Sequence, residues 1–168
     1  MFLLSQCLVS VATLLDLASF QFKSRRFILL CLFCSVLLTA WHFFLLGQQS
    51  AGWLMLIAAA RYLYCVFARR LLMMLCFILL SVTAVSLTWH SWLSGIALAA
   101  TLIQTVASFQ SHDLKLRSMM LVGTSMWIAH NIMVVSPIAV VMECLFLTSN
   151  IVGLYRFYRD KPFLTKAA

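Results

Sequence analysis

Polar positions cut this chain into apolar stretches of nearly uniform length. The uninterrupted runs predict seven helices, over about residues 2–20, 27–46, 51–67, 71–89, 94–110, 118–135 and 138–157. Each approaches the ~20 residues that carry a helix across ~30 Å of hydrocarbon at 1.5 Å per residue. The runs are solidly apolar and do not alternate, which excludes a transmembrane β-barrel. The breaks themselves alternate in charge. The first holds Lys23, Arg25 and Arg26, the third Arg69 and Arg70, the fifth Lys115 and Arg117, and the tail Arg156, Arg159, Lys161 and Lys166. The breaks at 47–50, 90–93 and 136–137 hold no Lys or Arg. Short cytoplasmic loops are enriched in Lys and Arg, so the pattern predicts a periplasmic N-terminus and a cytoplasmic C-terminus. Adding or removing one helix would break the alternation.

Composition narrows the class to one. The chain has 168 residues, 64% of them hydrophobic and 10% charged, with a mean hydropathy of +1.04. Soluble domains run nearer ~45–50% apolar and ~25% charged. A polytopic helical protein of the lipid bilayer is expected. The net charge of +8 comes from twelve Lys and Arg held mostly in the breaks, so it reads as topology and no nucleic-acid partner is expected. Cysteines 7, 31, 34, 65, 76 and 144 all lie inside apolar runs. Even the Cys31–Cys34 spacing reads as small apolar side chains of a helix, with no disulfide framework and no metal site. Residues 1–22 hold no Lys or Arg, so the first run lacks the basic start of a signal peptide and is expected to remain a helix. Trp41, Trp53, Trp89, Trp92 and Trp127 fall in outer halves or outer breaks, with Tyr62, Tyr64, Tyr155 and Tyr158 towards the inner ends, as in an interfacial belt.

The tetrapeptide Ala-Ser-Phe-Gln occurs twice, at 18–21 and 107–110, each time at the end of an apolar run and before a basic stretch. About twenty residues after each copy comes a histidine, His42 and His130, and about twenty later a lone polar residue in an apolar run, Arg61 and Asn150. The shared spacing predicts a duplicated three-helix unit. Such a unit starts outside and ends inside, so a parallel copy needs one extra crossing. The expected fold is therefore an all-α integral membrane protein of 3+1+3 architecture in a single transmembrane domain. Residues 1–70 form the first unit, 71–93 the linker helix, 94–160 the second unit and 161–168 a cytoplasmic tail.

With these motifs the chain resembles the YgjV-type family of bacterial inner-membrane proteins over nearly its whole length. That family is distantly similar to the SWEET, SemiSWEET and PQ-loop transporters, and the resemblance implies two three-helix repeats around a linker. PQ-loop proteins carry a Pro-Gln pair near the cytoplasmic end of the first helix of each repeat. Here Phe20-Gln21 and Phe109-Gln110 stand in that place, so the glutamines match and the prolines do not. SWEET proteins place a substrate-facing asparagine in the third helix of each repeat. Asn150 matches, whereas Arg61 stands at the equivalent position of the first unit. Pro137 and Pro162 lie outside the helix cores, so the hinge prolines of SWEET helices have no counterpart.

Arg61 is the most informative residue. An arginine near the middle of a membrane helix costs about 2.5–3.5 kcal/mol on insertion scales, and it keeps its proton. It is expected to point between the two units, within hydrogen-bond reach of the first or last helix, either at an anionic ligand or in a structural pair. Asn150, Glu143 and Asp16 are the candidate answers. Glu143 and Asn150 share one face of their helix. A cavity lined by Arg61, Asn150 and Glu143 is amphoteric and suits a zwitterion or small anion at least as well as a sugar. Asp16 is read as capping the basic inner surface. His42 and His130 are symmetric candidates for substrate contact or gating, although hydrogen bonding to a neighbouring backbone or hydroxyl is the favoured reading of both. Asn131 and Gln104 are expected to hydrogen-bond between helices, and Gly52, Gly95 and Gly123 to allow close helix contact. No nucleophile–base pair, phosphate loop or cofactor motif is present, so no enzyme activity is expected. The two functional readings are a small-molecule transporter or facilitator with a central site, and a non-transporting membrane scaffold that binds a partner.

Overall fold

The computed structural model describes residues 1–19, 25–110 and 112–164. Gln21, half of the proposed repeat motif, lies outside them. Among the described residues the chain forms seven helices and no strand: α1 (Phe2–Ser19), α2 (Arg25–Leu45), α3 (Gln49–Phe67), α4 (Leu71–Thr88), α5 (Trp92–Phe109), α6 (Asp113–Met133) and α7 (Pro137–Leu164). The number is the one expected, but several ends differ. Arg25 and Arg26 begin α2, Lys115 and Arg117 lie within α6, and Arg156, Arg159 and Lys161 lie within α7 rather than in loops. The apolar pattern reports where hydrocarbon ends, whereas the helical hydrogen-bond ladder continues into the headgroup layer, where long basic side chains reach water. With 28 residues, α7 spans roughly 42 Å, well beyond the hydrocarbon thickness.

Polar stripes turn inward, most clearly in α1. In α1 the buried residues are Ser5, Gln6, Val9, Ala12, Asp16 and Ser19, at helical spacing, while Leu3, Leu4, Val11 and Leu14 are exposed. Water would select the reverse; a hydrocarbon surround selects this. Five helices are long and apolar enough to cross a membrane: α1, α3, α4, α5 and the Pro137–Tyr155 part of α7. The apolar part of α2, Leu29–Leu45, is shorter. In α6, Thr124, His130 and Asn131 lower the apolarity, and all three are buried.

Packing joins the helices into a ring. Contacts run α1·α2, α2·α3, α3·α5, α5·α6, α6·α7 and back through α1·α7. Among the described residues α4 packs on α3 and α5 and buries only the stripe Phe77, Ser81 and Val85, so it lies outside the ring. Close approach is set by small residues. Gly52 packs on the Phe44 ring, and a Cβ on Gly123 would lie 2.6 Å from Gln104 Cγ and 3.2 Å from the Ala100 carbonyl oxygen. Gln104 therefore fills the α5·α6 contact.

Two helices end in the same way. After α2, Gly47 takes φ +75°, its N–H donates to the Phe44 carbonyl and the Gln48 N–H to the Phe43 carbonyl. After α6, Val135 takes φ 53°, its N–H donates to the Ile132 carbonyl and the Ser136 N–H to the Asn131 carbonyl. Both are Schellman motifs, which satisfy the last free carbonyls of a helix. The first uses glycine, whereas the second holds a β-branched residue in the left-handed region, where Cβ crowds the backbone.

Trp127 departs from the expected belt. It is 1% exposed, with its ring centroid 5.6 Å from Phe43 and 5.2 Å from His130. One helical turn separates it from His130, so both share the inward stripe of α6. Trp41, Trp53, Trp89 and Trp92 are exposed.

Candidate functional site

The ring encloses a cavity of about 590 Å³, lined by residues of the six ring helices and by none from α4. Its walls reach the helix ends at Arg69, Gln110 and Arg117 and stop beneath Trp127 and Met55. We call these the arginine end and the histidine end. The volume suits a small molecule.

Arg61 of α3 lines this cavity and is 1% exposed. Its Nη1 donates to Thr105 Oγ1 on α5 at 2.5 Å, and that hydroxyl in turn donates to the Thr101 carbonyl at 2.7 Å. The guanidinium carbon lies 5.1 Å from the centroid of the Tyr62 ring. Among the described residues its Nε has no partner. The partner expected from the first or last helix is thus a hydroxyl of α5, because α3 packs directly on α5. A guanidinium offers five donors; Thr105 takes one, the Tyr62 side chain lies within hydrogen-bond reach of the group, and both partners are neutral hydroxyls.

Asp16 and Glu143 line the same cavity from α1 and α7. Asp16 is 4% exposed, its Oδ1 has no partner, and Ser35 of α2 lies within hydrogen-bond reach of its carboxyl. Rather than capping the basic surface, Asp16 faces inward, because it continues the buried stripe of Val9 and Ala12. Glu143 lies within electrostatic reach of Asp16, and Tyr62 within reach of Arg61, Asp16 and Glu143. Asn150 also lines the cavity, with its side-chain amide donating to the Phe146 carbonyl at 3.1 Å. At the mouth, the Arg117 side chain lies across Gly153, which is free of a Cβ that would displace it.

His42 and His130 do not line the cavity; both are fully buried at its closed end. His42 Nδ1 lies 2.9 Å from the Ser5 carbonyl oxygen, and Nε2 lies 3.0 Å from Ser136 Oγ. Nδ1 also lies 2.8 Å from Ser5 Oγ, so the ring is held at both nitrogens. With the proton on Nδ1 it donates to the Ser5 carbonyl and Nε2 accepts from Ser136; with the proton on Nε2 it donates to Ser136 while Nδ1 accepts from the Ser5 hydroxyl. Gln6 Nε2 reaches the same hydroxyl at 3.5 Å. This network ties α1 and α2 to the turn between α6 and α7. A second network closes the other seam at the same end, where Ser50 Oγ of α3 donates to the Thr88 carbonyl at 2.7 Å and lies 3.0 Å from Ser94 Oγ of α5. Among the described residues the Asn131 side chain meets its neighbour, with Oδ1 3.5 Å from His130 Nδ1, and its Nδ2 has no partner, so there it does not bridge helices as expected.

Of the candidate substrate contacts Arg61, Glu143, Asn150, His42 and His130, the first three line this one cavity, as does Gln110 of the repeat motif, and the two histidines do not. Asp16, weighed as an answer to Arg61 but read as a cap, lines it too, and sequence reasoning passed over Tyr62, Thr105 and Arg117 as site residues. The inward phase of Asp16 was present in the spacing of the α1 polar residues. Thr105 carried no signal, since its role comes from α3 meeting α5. Among the described residues no three His, Cys, Asp or Glu side chains converge as metal ligands would.

Polar-in, apolar-out helices around a charged chamber define a polytopic α-helical membrane protein. The sequence model of the family Imp-YgjV, described as a bacterial inner membrane protein, matches residues 3–161. The chain belongs to that family. It is 31% identical to the inner membrane protein YgjV of Escherichia coli (strain K12) over 118 residues, a stretch covering 70% of this chain and 64% of that relative's length. No solved structure matches the chain.

Proposed function

We propose that this protein is a small-molecule transporter or facilitator of the bacterial inner membrane, with its substrate site in the central cavity. The observation that carries the reading is Arg61: a permanent charge, 1% exposed, lining the chamber, met there by neutral hydroxyls and with its Nε unpartnered among the described residues. A structural arginine would be ringed by carbonyls or a carboxylate.

The architecture we propose is two parallel three-helix units, α1–α3 and α5–α7, with α4 as connector. Three observations support it. Helix packing joins the units at the α3·α5 and α1·α7 seams, Phe43 and His42 of α2 meet Trp127 and Ser136 across the histidine end, and α4 stands outside the ring. The second helix of each unit ends in the same Schellman motif. Each second helix places a histidine beside the Phe43–Trp127 stack at the closed end. Both seams are hydrogen-bonded at the histidine end, while the cavity reaches the arginine end, which fits a site facing one side of the membrane at a time. The Lys and Arg distribution assigns the arginine end to the cytoplasm.

The scaffold reading requires a core packed shut around Arg61, and the cavity at that residue counts against it. The test is uptake into proteoliposomes of the purified full chain, with labelled sugars, amino acids and small anions offered separately. Saturable uptake of one class, lost in Arg61→Ala protein that still inserts and elutes as a single species, is the expected result. No uptake of any class above empty vesicles would overturn the transporter reading.

A further inference from the structure

The charges in the cavity are sorted, and the sorting selects a ligand. In the ring order α1, α2, α3, α5, α6, α7, the α3·α5 seam lies opposite the α1·α7 seam. Arg61 sits at the first, held by Thr105 across it. Asp16 and Glu143 sit at the second, one from each side. Arg61 bonds to a hydroxyl, and among the described residues its Nε and the buried Asp16 Oδ1 have no partner. A buried arginine and a pair of buried carboxyl groups held apart in one low-dielectric chamber each lack a counter-charge. A solute that carries both signs removes that penalty at both seams.

We propose that the ligand of this cavity is a small zwitterion of the amino-acid kind, its carboxylate taken by Arg61 and its ammonium by Asp16 and Glu143. The proposal rests on the reading of the cavity as a substrate site and narrows it. A neutral sugar matches neither charge and leaves both groups desolvated without a counter-charge. A simple anion satisfies Arg61 but faces two carboxylates, and a simple amine satisfies the carboxylates but faces Arg61, so each meets a repulsive wall. Only the dipolar ligand meets attraction at both ends. Tyr62, within electrostatic reach of all three charged groups, adds a hydroxyl that donates or accepts between them. Because the two charge sites lie at the two seams between α1–α3 and α5–α7, such a ligand also bridges the units, and its binding is coupled to how they sit against each other.

The experiment separates the halves of the ligand. Detergent-purified full-length protein is screened by thermal unfolding against free L-amino acids, against the amine each becomes on losing its carboxylate, against the acid each becomes on losing its amine, and against neutral monosaccharides. At least one amino acid is expected to stabilise the protein, with an affinity ~10-fold or more above both of its halves, as loss of one charge-assisted contact implies. In Arg61→Gln the amino acid should bind no better than its amine; in Asp16→Asn or Glu143→Gln, no better than its acid. The comparison of ligands on the unaltered protein needs no variant, so it decides the matter even if Arg61→Gln does not fold. Stabilisation by a monosaccharide or by an acid alone, or by no compound tested, overturns the zwitterion. Amino-acid binding without uptake into proteoliposomes sinks the transporter reading and leaves the zwitterion site standing. Uptake of a sugar does the opposite.

Discussion

Replacing Ser136 by alanine tests whether the histidine end is a latch. The Ser136 hydroxyl is 3.0 Å from His42 Nε2 and 3.5 Å from Gln6 Nε2, and it joins the α6–α7 turn to α1 and α2. Deletion removes the neutral hydrogen bond to His42, worth about 1 kcal/mol, and leaves the buried His42 Nε2 without its partner, which adds about 1 kcal/mol more. Hydrogen bonds inside membrane proteins average nearer 0.6 kcal/mol. The closed arrangement should therefore lose between about 0.6 and about 2 kcal/mol relative to one open at this end, a shift of roughly 3- to 30-fold in their ratio. The assay is the labelling rate of a cysteine placed at Met142, deep in the cavity wall, in a background lacking the six native cysteines. A membrane-impermeant thiol reagent is added from the side bearing His42. Ser136→Ala should raise that rate within the stated range, and a saturating cavity ligand should change it further. An unchanged rate, in protein of unaltered thermal stability, would refute the latch: the hydrogen bonds would then stabilise neither the closed state nor the fold.

The paired Schellman turns give opposite expectations. Gly47→Ala, where nothing lies within 4 Å of a new Cβ, should destabilise the protein by about 1 kcal/mol through backbone strain alone, and Val135→Gly, at a side chain 72% exposed, should stabilise it by up to about 1 kcal/mol. Unfolding in mixed micelles reads both, and a destabilised Val135→Gly would contradict the left-handed turn. Gly123→Ala should separate α5 from α6 and lose about 1–3 kcal/mol in the same assay, because its Cβ would meet Gln104 and the Ala100 carbonyl; a neutral result would mean that the helices are not in close contact. A cytoplasm-active reporter fused after Ala168 should be active and a periplasm-active one silent, and the reverse pattern would invert the orientation.

What the sequence by itself determined is the class, the helix number and the depth of the charges. A hydrocarbon solvent tolerates so few alternatives that apolar length alone marks the helices, and a lone Arg61 in such a run has to turn inward. The duplicated landmarks also pointed to residues that share one chamber, Arg61 with Asn150. The sequence did not determine which helix would answer Arg61, because ring order is a property of packing between surfaces of small residues such as Gly52 and Gly123. Only the tertiary structure set α3 against α5, gave Arg61 its contact with Thr105, and left its Nε without a partner among the described residues. It also turned Asp16 from a surface cap into a wall of the chamber, and drew His42 and His130 away from the cavity into its closed end. A membrane helix can put any polar residue inside, so the sequence says that these groups are buried. Their partners are chosen by the angle at which each helix meets the next, and that angle is settled only when all seven are assembled.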